Sequence, residues 1–172
     1  IADKLQAFVR KGGVLIAIES AVQQLALNPE WGLKIKELPK NDKLDVNTIN
    51  KYGDRVMNML QSSIPGAIYK VSIDETYPIG FGTSGYYFEL KQNVHIYEPA
   101  NDFWNVGVLK KDSYVTGFAG VKAKTAIQEG VVIGAKDMGM GKFVYIADDP
   151  IFRNFWESGK LILANAVFLN GK

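Results

Sequence analysis

The sequence predicts an α/β layered fold around a mostly parallel central sheet, with additional β-strands. Two observations predict it. Residues 14–18 (VLIAI) and 142–147 (KFVYIA) are apolar runs without alternation, the pattern of strands covered on both faces. The first run is also joined tightly to a helix pattern on either side, the helix–strand–helix rhythm of layered α/β domains.

The elements follow in order. Ile1, Leu5, Phe8 and Val9 recur at i, i+4, i+7 and i+8, one stripe of an amphipathic helix. Gly12-Gly13 stops it, because a glycine there can take the left-handed conformation. After the VLIAI strand, Ser20 with Gln23 three residues later fits a capping box, so a second helix begins there and Asn28-Pro29 ends it. Residues 31–63 read as a surface excursion. Lys34, Lys36, Glu37, Lys40, Asp42, Lys43 and Asp45 crowd it, Pro39 and Gly53 interrupt it, and a short helix fits 46–60.

Beyond Ile64-Pro65-Gly66 the pattern becomes strand-rich. Residues 67–73 (AIYKVSI) alternate as a strand should, and 86–90, 94–97 (VHIY), 106–109 and 131–133 are further short candidates. The KFVYIA strand is entered from the glycine turn Gly139-Met140-Gly141. A closing helix offers Leu161, Leu163, Ala164, Val167 and Phe168 as its apolar face. The whole of 1–172 reads as a single domain.

Composition supports this. A chain of 172 residues with 47% apolar and 22% charged residues can bury one full core. A net charge of +2, with its lysines scattered, leaves no electrostatic footprint for nucleic acid or an anionic membrane. The absence of cysteine excludes disulfides, thiolate metal sites and a cysteine nucleophile. No apolar run reaches the ~18–20 residues of a membrane span. The chain opens on Ile1-Ala2-Asp3-Lys4-Leu5, without the shape of a signal peptide and already within a helix pattern, and so reads as part of something longer.

Candidate chemistry gathers at two strand ends. Glu19 sits at the bend between the VLIAI strand and its helix, where a nucleophile gains from the helix amides. A carboxylate there could act as nucleophile or base given a partner acid, or simply favour the helix N-terminus. Asp148-Asp149-Pro150 follows the KFVYIA strand. It could hold a cation or serve as acid and base, or start a turn. Arg153, among Phe152, Phe155 and Trp156, could pair with Asp148 or Asp149 and stack on a ring, clamping the last helix to the sheet end. Ser20, Arg153 and Trp156 are the ligand-binding candidates. Phe103-Trp104 and Tyr86-Tyr87-Phe88 could form a carbohydrate or peptide platform or pack in the core. The lone histidine, His95, has no metal-binding companion and reads as a surface strand residue. The glycines of 80–85 lack the spacing of a phosphate loop.

The stretch LQAFVRKGGVLIAIESAVQQLA resembles the helix, strand, elbow and helix of the class I glutamine amidotransferase-like, flavodoxin-like fold. In active members the elbow reads like G-I-C-x-G-x-Q, and matching residues 17–23 puts Glu19 at the cysteine. The family's late Q-F-H-P-E phrase corresponds to Ile146-Ala147-Asp148-Asp149-Pro150, so Asp148 stands for the histidine. Both departures imply that glutamine hydrolysis is absent and that Glu19 and Asp148 are vestiges.

A longer resemblance runs through IPGAIYKVSIDETYPIGFG, NVGVLKKDSYVTGFAG and GKFVYIADDPIFRNFWESGKLILANAVF. These are similar to the amidotransferase-like domain appended to exported bacterial zinc carboxypeptidases of the carboxypeptidase A type. Where that family commonly has T-H-P, this chain has Thr76-Tyr77-Pro78, which makes Tyr77 and Asp149 weaker vestigial positions. The resemblance implies an N-terminally incomplete domain, an extracytoplasmic location, and zinc bound only by a peptidase domain outside this chain. It implies a non-catalytic accessory or interaction domain, whose partners are the parent peptidase domain and a peptide or glycan. Two alternatives stand beside it: a hydrolase or cation site re-using Glu19 and Asp148, and a carbohydrate- or peptide-binding module.

Overall fold

The computed structural model describes residues 2–37 and 51–170. Helix α1 (Ala2–Arg10) buries Gln6 and Val9 and stops at the expected glycines. Gly12 adopts φ 109°, and the amides of Gly12 and Gly13 return to the carbonyls of Val9 and Phe8 at 2.9 and 3.0 Å, closing the helix end as a left-handed cap does. Strand β1 (Val14–Ile18) and helix α2 (Ser20–Ala26) follow. Asn28 then caps the 3-10 turn Pro29–Trp31. Of the segment 46–60, residues 46–50 lie outside those described; the rest forms a 3-10 turn (Tyr52–Asp54) and helix α3 (Arg55–Gln61).

Six further strands and two helices complete the chain: β2 (Gly66–Ile73), β3 (Tyr86–Lys91), β4 (Trp104–Val108), β5 (Tyr114–Phe118), α4 (Val121–Ala126), β6 (Val131–Met138), β7 (Gly141–Ile146) and α5 (Glu157–Phe168). Among the described residues the strands form one sheet in the order β1-β7-β6-β4-β2-β3, with β5 also on β2.

This corrects the expected fold class. Only β1 and β7 pair in parallel, Val14 facing Lys142 and Ile18 facing Ile146; every other pair is antiparallel. The sheet is mixed and curled into a half-barrel with few helices, rather than a mostly parallel, flavodoxin-like, amidotransferase-like layer. The physical reason is that an unalternating apolar run reports burial on both faces, not strand direction. Residues 131–135 are all buried, yet β6 lies between two antiparallel neighbours. The Gly139-Met140-Gly141 turn joins β6 directly to β7, and so short a connection can only reverse the chain.

The curl has a visible consequence. Three strands separate β3 from β7 in the sheet order, yet Lys91 at the end of β3 touches Asp148 just past β7. Register shifts within the β4–β6 and β2–β5 pairs are the kind of irregularity that bends a sheet. A chain of ring contacts packs against β7: Trp31 on Phe143 at 4.8 Å, Phe103 on Tyr145 at 5.8 Å, and Tyr97 on Tyr145 at 5.2 Å.

Two smaller expectations also change. The segment 94–97 is not a strand; only Tyr97 makes isolated bridges, to Ile35 and Val131. The core face of α5 is Gly159, Ile162, Asn165 and Ala166, while Leu161, Val167 and Phe168 point to solvent. Buried Asn165 sets this phase, donating to the carbonyls of Ile79 at 3.0 Å and Phe81 at 2.7 Å.

Candidate functional site

The parallel pair brings the two candidate strand ends to one edge of the sheet. Glu19 leaves β1 with φ 52° and ψ −120°, a region that residues other than glycine avoid at a cost of ~1–3 kcal/mol. Its amide donates to the Ile146 carbonyl at 2.9 Å. Its carbonyl accepts from Val22 at 3.0 Å and Gln23 at 3.4 Å, starting α2. The sharp elbow expected from the sequence is therefore present. The capping box is not: Ser20 is already helical, Glu19 holds the N-cap position, and no side-chain cap bond forms. Both side chains are exposed.

Asp148 has the opposite environment. It is only 2% exposed. One carboxylate oxygen accepts from the Lys91 ammonium at 2.6 Å and the other from the Asn93 amide at 3.1 Å. Lys91 is fully buried and also donates to the His95 carbonyl at 2.8 Å. His95 is half-buried in a loop rather than on a surface strand. Burial, and next the Lys91 charge, lower its pKa, with Asp148 opposing.

Glu89 completes the cluster. It is 1% exposed, and neither of its oxygens meets a hydrogen-bond donor. Burial, and next the Asp148 charge, push its carboxyl well above the usual carboxylate range, while Lys91 opposes the shift. The direction of that shift favours the neutral acid, which leaves no uncompensated charge on two oxygens without donors. Tyr87, on the same face of β3, has its phenol pushed up by burial first and then by the charges of Glu89, Asp148 and Asp149. The cluster thus sets Glu89 beside the Lys91–Asp148 ion pair, all three closed off from solvent, so no reactant reaches it.

The raised Glu89 pKa fixes the sign of a pH effect. The folded state keeps a proton that the unfolded state loses near ~4.3, so stability falls as pH rises from there towards the folded pKa. Glu89→Gln keeps the shape without titrating. Urea midpoints measured from about pH 5 to about pH 8 should fall for the wild type and flatten for the variant; equal slopes would remove Glu89 as the cause.

The remaining sequence candidates scatter. The side chain of Asp149 accepts from the Ile151 amide at 3.0 Å, the turn-starting role. Arg153, at φ 49°, lies 5.2 Å over the Phe152 ring, and Asp148 is taken by Lys91 rather than by it. The clamp of the last helix to the sheet is made instead by Trp156 and Ser158, which donate to the Phe88 carbonyl at 2.7 and 3.2 Å. Trp156 also walls an open, mostly apolar groove of about 440 Å³ with Ile68, Phe88, Val115 and Phe155. Tyr77 lies beside Trp104, away from the elbow. Among the described residues, no group of three or more metal-ligating side chains converges, and no helix is long and apolar enough to cross a membrane.

Glu89 and Lys91 were missed from the sequence. Their signal was present, since Tyr87, Glu89 and Lys91 recur with period two. Alternation, however, defines two faces of a strand without saying which one is inside, and the apolar Tyr86, Phe88 and Leu90 make the other face the obvious candidate.

No protein-family model matches the chain, and no curated protein matches it. Among solved structures, a ThuA-like protein from Bacteroides uniformis ATCC 8492 is 12% identical, with a TM-score of 0.47. The match covers 96% of this chain and 61% of that one. A β-galactosidase from Bacillus circulans sp. alkalophilus is 16% identical with a TM-score of 0.45, over 96% of this chain and 20% of that one. The chain therefore spans less than two thirds of either structure.

Proposed function

We propose that this chain is a non-catalytic accessory or interaction module. One observation carries the reading: Asp148, the partner that Glu19 would need, has both carboxylate oxygens engaged in the core by Lys91 and Asn93. A general acid or base must reach the proton it transfers, and Asp148 reaches only its own scaffold. Glu19 keeps a nucleophile's backbone position without a second group to complete the chemistry. The same observation weighs against a hydrolase or cation site that re-uses the two carboxylates.

In this reading the chain belongs to a larger exported zinc carboxypeptidase, as the three ordered motifs in 64–168 suggest. It works outside the cytoplasm, and any zinc is held by the peptidase domain. Its partners are that domain and a further ligand.

The test is an assay of the purified chain against glutamine and a model amide. No turnover is expected from the wild type. Glu19→Gly should stabilise the fold by up to ~1–3 kcal/mol through relief of the strained elbow, as an urea midpoint would report. Amide hydrolysis that Glu19→Gln abolishes would overturn the proposal.

A further inference from the structure

At the end of the sheet opposite the elbow, a second group of side chains faces solvent. Trp104 opens β4 opposite Ala135, and Lys142 pairs across the ladders with Val14 and Asp137, where β1 and β7 begin. Glu19 and Asp148 lie where the same strands finish. The indole of Trp104 is 56% exposed. Its ring centre stands 6.1 Å from that of half-buried Tyr77, with the planes only 31° apart. The two rings make a shallow shelf, beside a pocket of about 270 Å³ lined by Asn101, Asp102, Phe103, Trp104 and Asp137. A tryptophan placed for packing buries most of its surface, as Trp31 does here; Trp104 leaves more than half in water.

The carboxylates around the shelf are matched by lysines. Asp102 is held by Lys136 at 2.5 Å. Asp137 faces Lys142 across the ladder, and the Lys142 ammonium stands 6.0 Å from the Tyr77 ring centre. Two carboxylates matched by Lys136 and Lys142, with the Lys34 charge also acting on Asp102, leave no net negative field to attract a cationic ligand, yet they offer donors and acceptors at the rim of an apolar platform. An apolar floor with a few polar groups at its rim is how small-ligand sites orient their occupants. The chemistry complementary to it has a flat C–H face and a circumference of hydroxyls, which is a sugar ring. A cationic peptide would need unpaired carboxylates.

We propose that Trp104 and Tyr77 form a binding shelf for an uncharged saccharide, with Asp137, Asn101 and Lys142 hydrogen-bonding its hydroxyls. This gives the interaction module its ligand class and rests on that reading.

The experiment titrates the purified chain calorimetrically with cellohexaose, mannohexaose, xylohexaose and chitohexaose, and with hexalysine for comparison. At least one saccharide should bind in the micromolar to millimolar range. Trp104→Ala should weaken it about tenfold, the loss of one stacking contact. Trp104→Phe should restore part of the affinity, and Phe168→Leu, on the exposed face of α5, should leave it unchanged. Matching far-UV circular dichroism shows that each variant folds. The proposal is overturned if none of the four saccharides binds, if binding survives Trp104→Ala intact, or if hexalysine alone binds in a Trp104-dependent way. A failure here leaves the absence of turnover unchanged. Glu19-dependent hydrolysis would instead overturn the accessory reading while the shelf's affinity stayed measurable.

Discussion

Lys91→Met is expected to lower the unfolding free energy by ~3–5 kcal/mol, since removing one partner of a buried ion pair leaves the other charge uncompensated. The side chain removed is fully buried, and its partner Asp148 is 2% exposed. Met conserves most of the lysine's volume, so the loss reports charge rather than a cavity. The Asn93 amide at 3.1 Å cannot replace an ammonium at 2.6 Å. The measurement is a urea titration at neutral pH, read as a lower midpoint with an unchanged slope. The double variant Lys91→Met, Asp148→Leu should recover most of the loss, because an apolar pair of similar volume often matches a buried ion pair. Lys111, whose contact with Glu129 is 3.6 Å long and largely exposed, is the control, and its replacement should change little. A small effect of Lys91→Met would mean that Asp148 is free for other chemistry, against the proposed function.

Gly159→Ala should also destabilise the protein, against helix propensity. In an exposed helix the change would gain ~1 kcal/mol. Here the added methyl would fall 1.7 Å from the Pro150 carbonyl oxygen and 2.6 Å from its carbon. Backbone cannot swing aside as a side chain can, so α5 must move away from the turn that follows β7. Overpacking of this kind costs ~1–3 kcal/mol or more, and in a chain of this size each ~1 kcal/mol lowers the melting temperature by ~2–4 °C. Gly53→Ala, which meets nothing within 4 Å, should be neutral or slightly stabilising. If both variants melt together, the close approach of α5 to Pro150 is not what seats the last helix.

The candidate site was legible in part. The bend after VLIAI was readable because an apolar strand running straight into a helix leaves few backbone solutions at the joint, and Glu19 takes the strained one; β1 itself is an edge strand in which only Ala17 is buried, not the fully covered strand expected. Asp148 was readable as a residue just past a buried strand, but not its fate. Its partners Lys91 and Asn93 stand 57 and 55 residues away in sequence, and no local pattern reports which distant strand end will meet it. The five-residue β5 (Tyr114–Phe118) went unread for a similar reason. Four of its residues are exposed, so it carries no apolar run, and it exists through its ladder with β2. The most apolar residues of α5 do not mark its core face, because a buried asparagine bonded to two carbonyls sets the phase.

By itself the sequence determined the elements whose causes are local: the glycine stop after α1, the elbow at Glu19, six of the seven described strands and the closing helix. Only the tertiary structure decided their directions and company. Strand direction depends on which neighbour offers its edge, and the burial of Glu89, Lys91 and Asp148 depends on a sheet that curls until its distant ends touch. An apolar run marks an element; it reports neither its neighbour nor, as Val14, Phe88 and Phe168 show, which of its residues are covered. That difference turned an expected parallel layer into a mixed half-barrel, and a suspected acid beside Glu19 into one half of a buried ion pair.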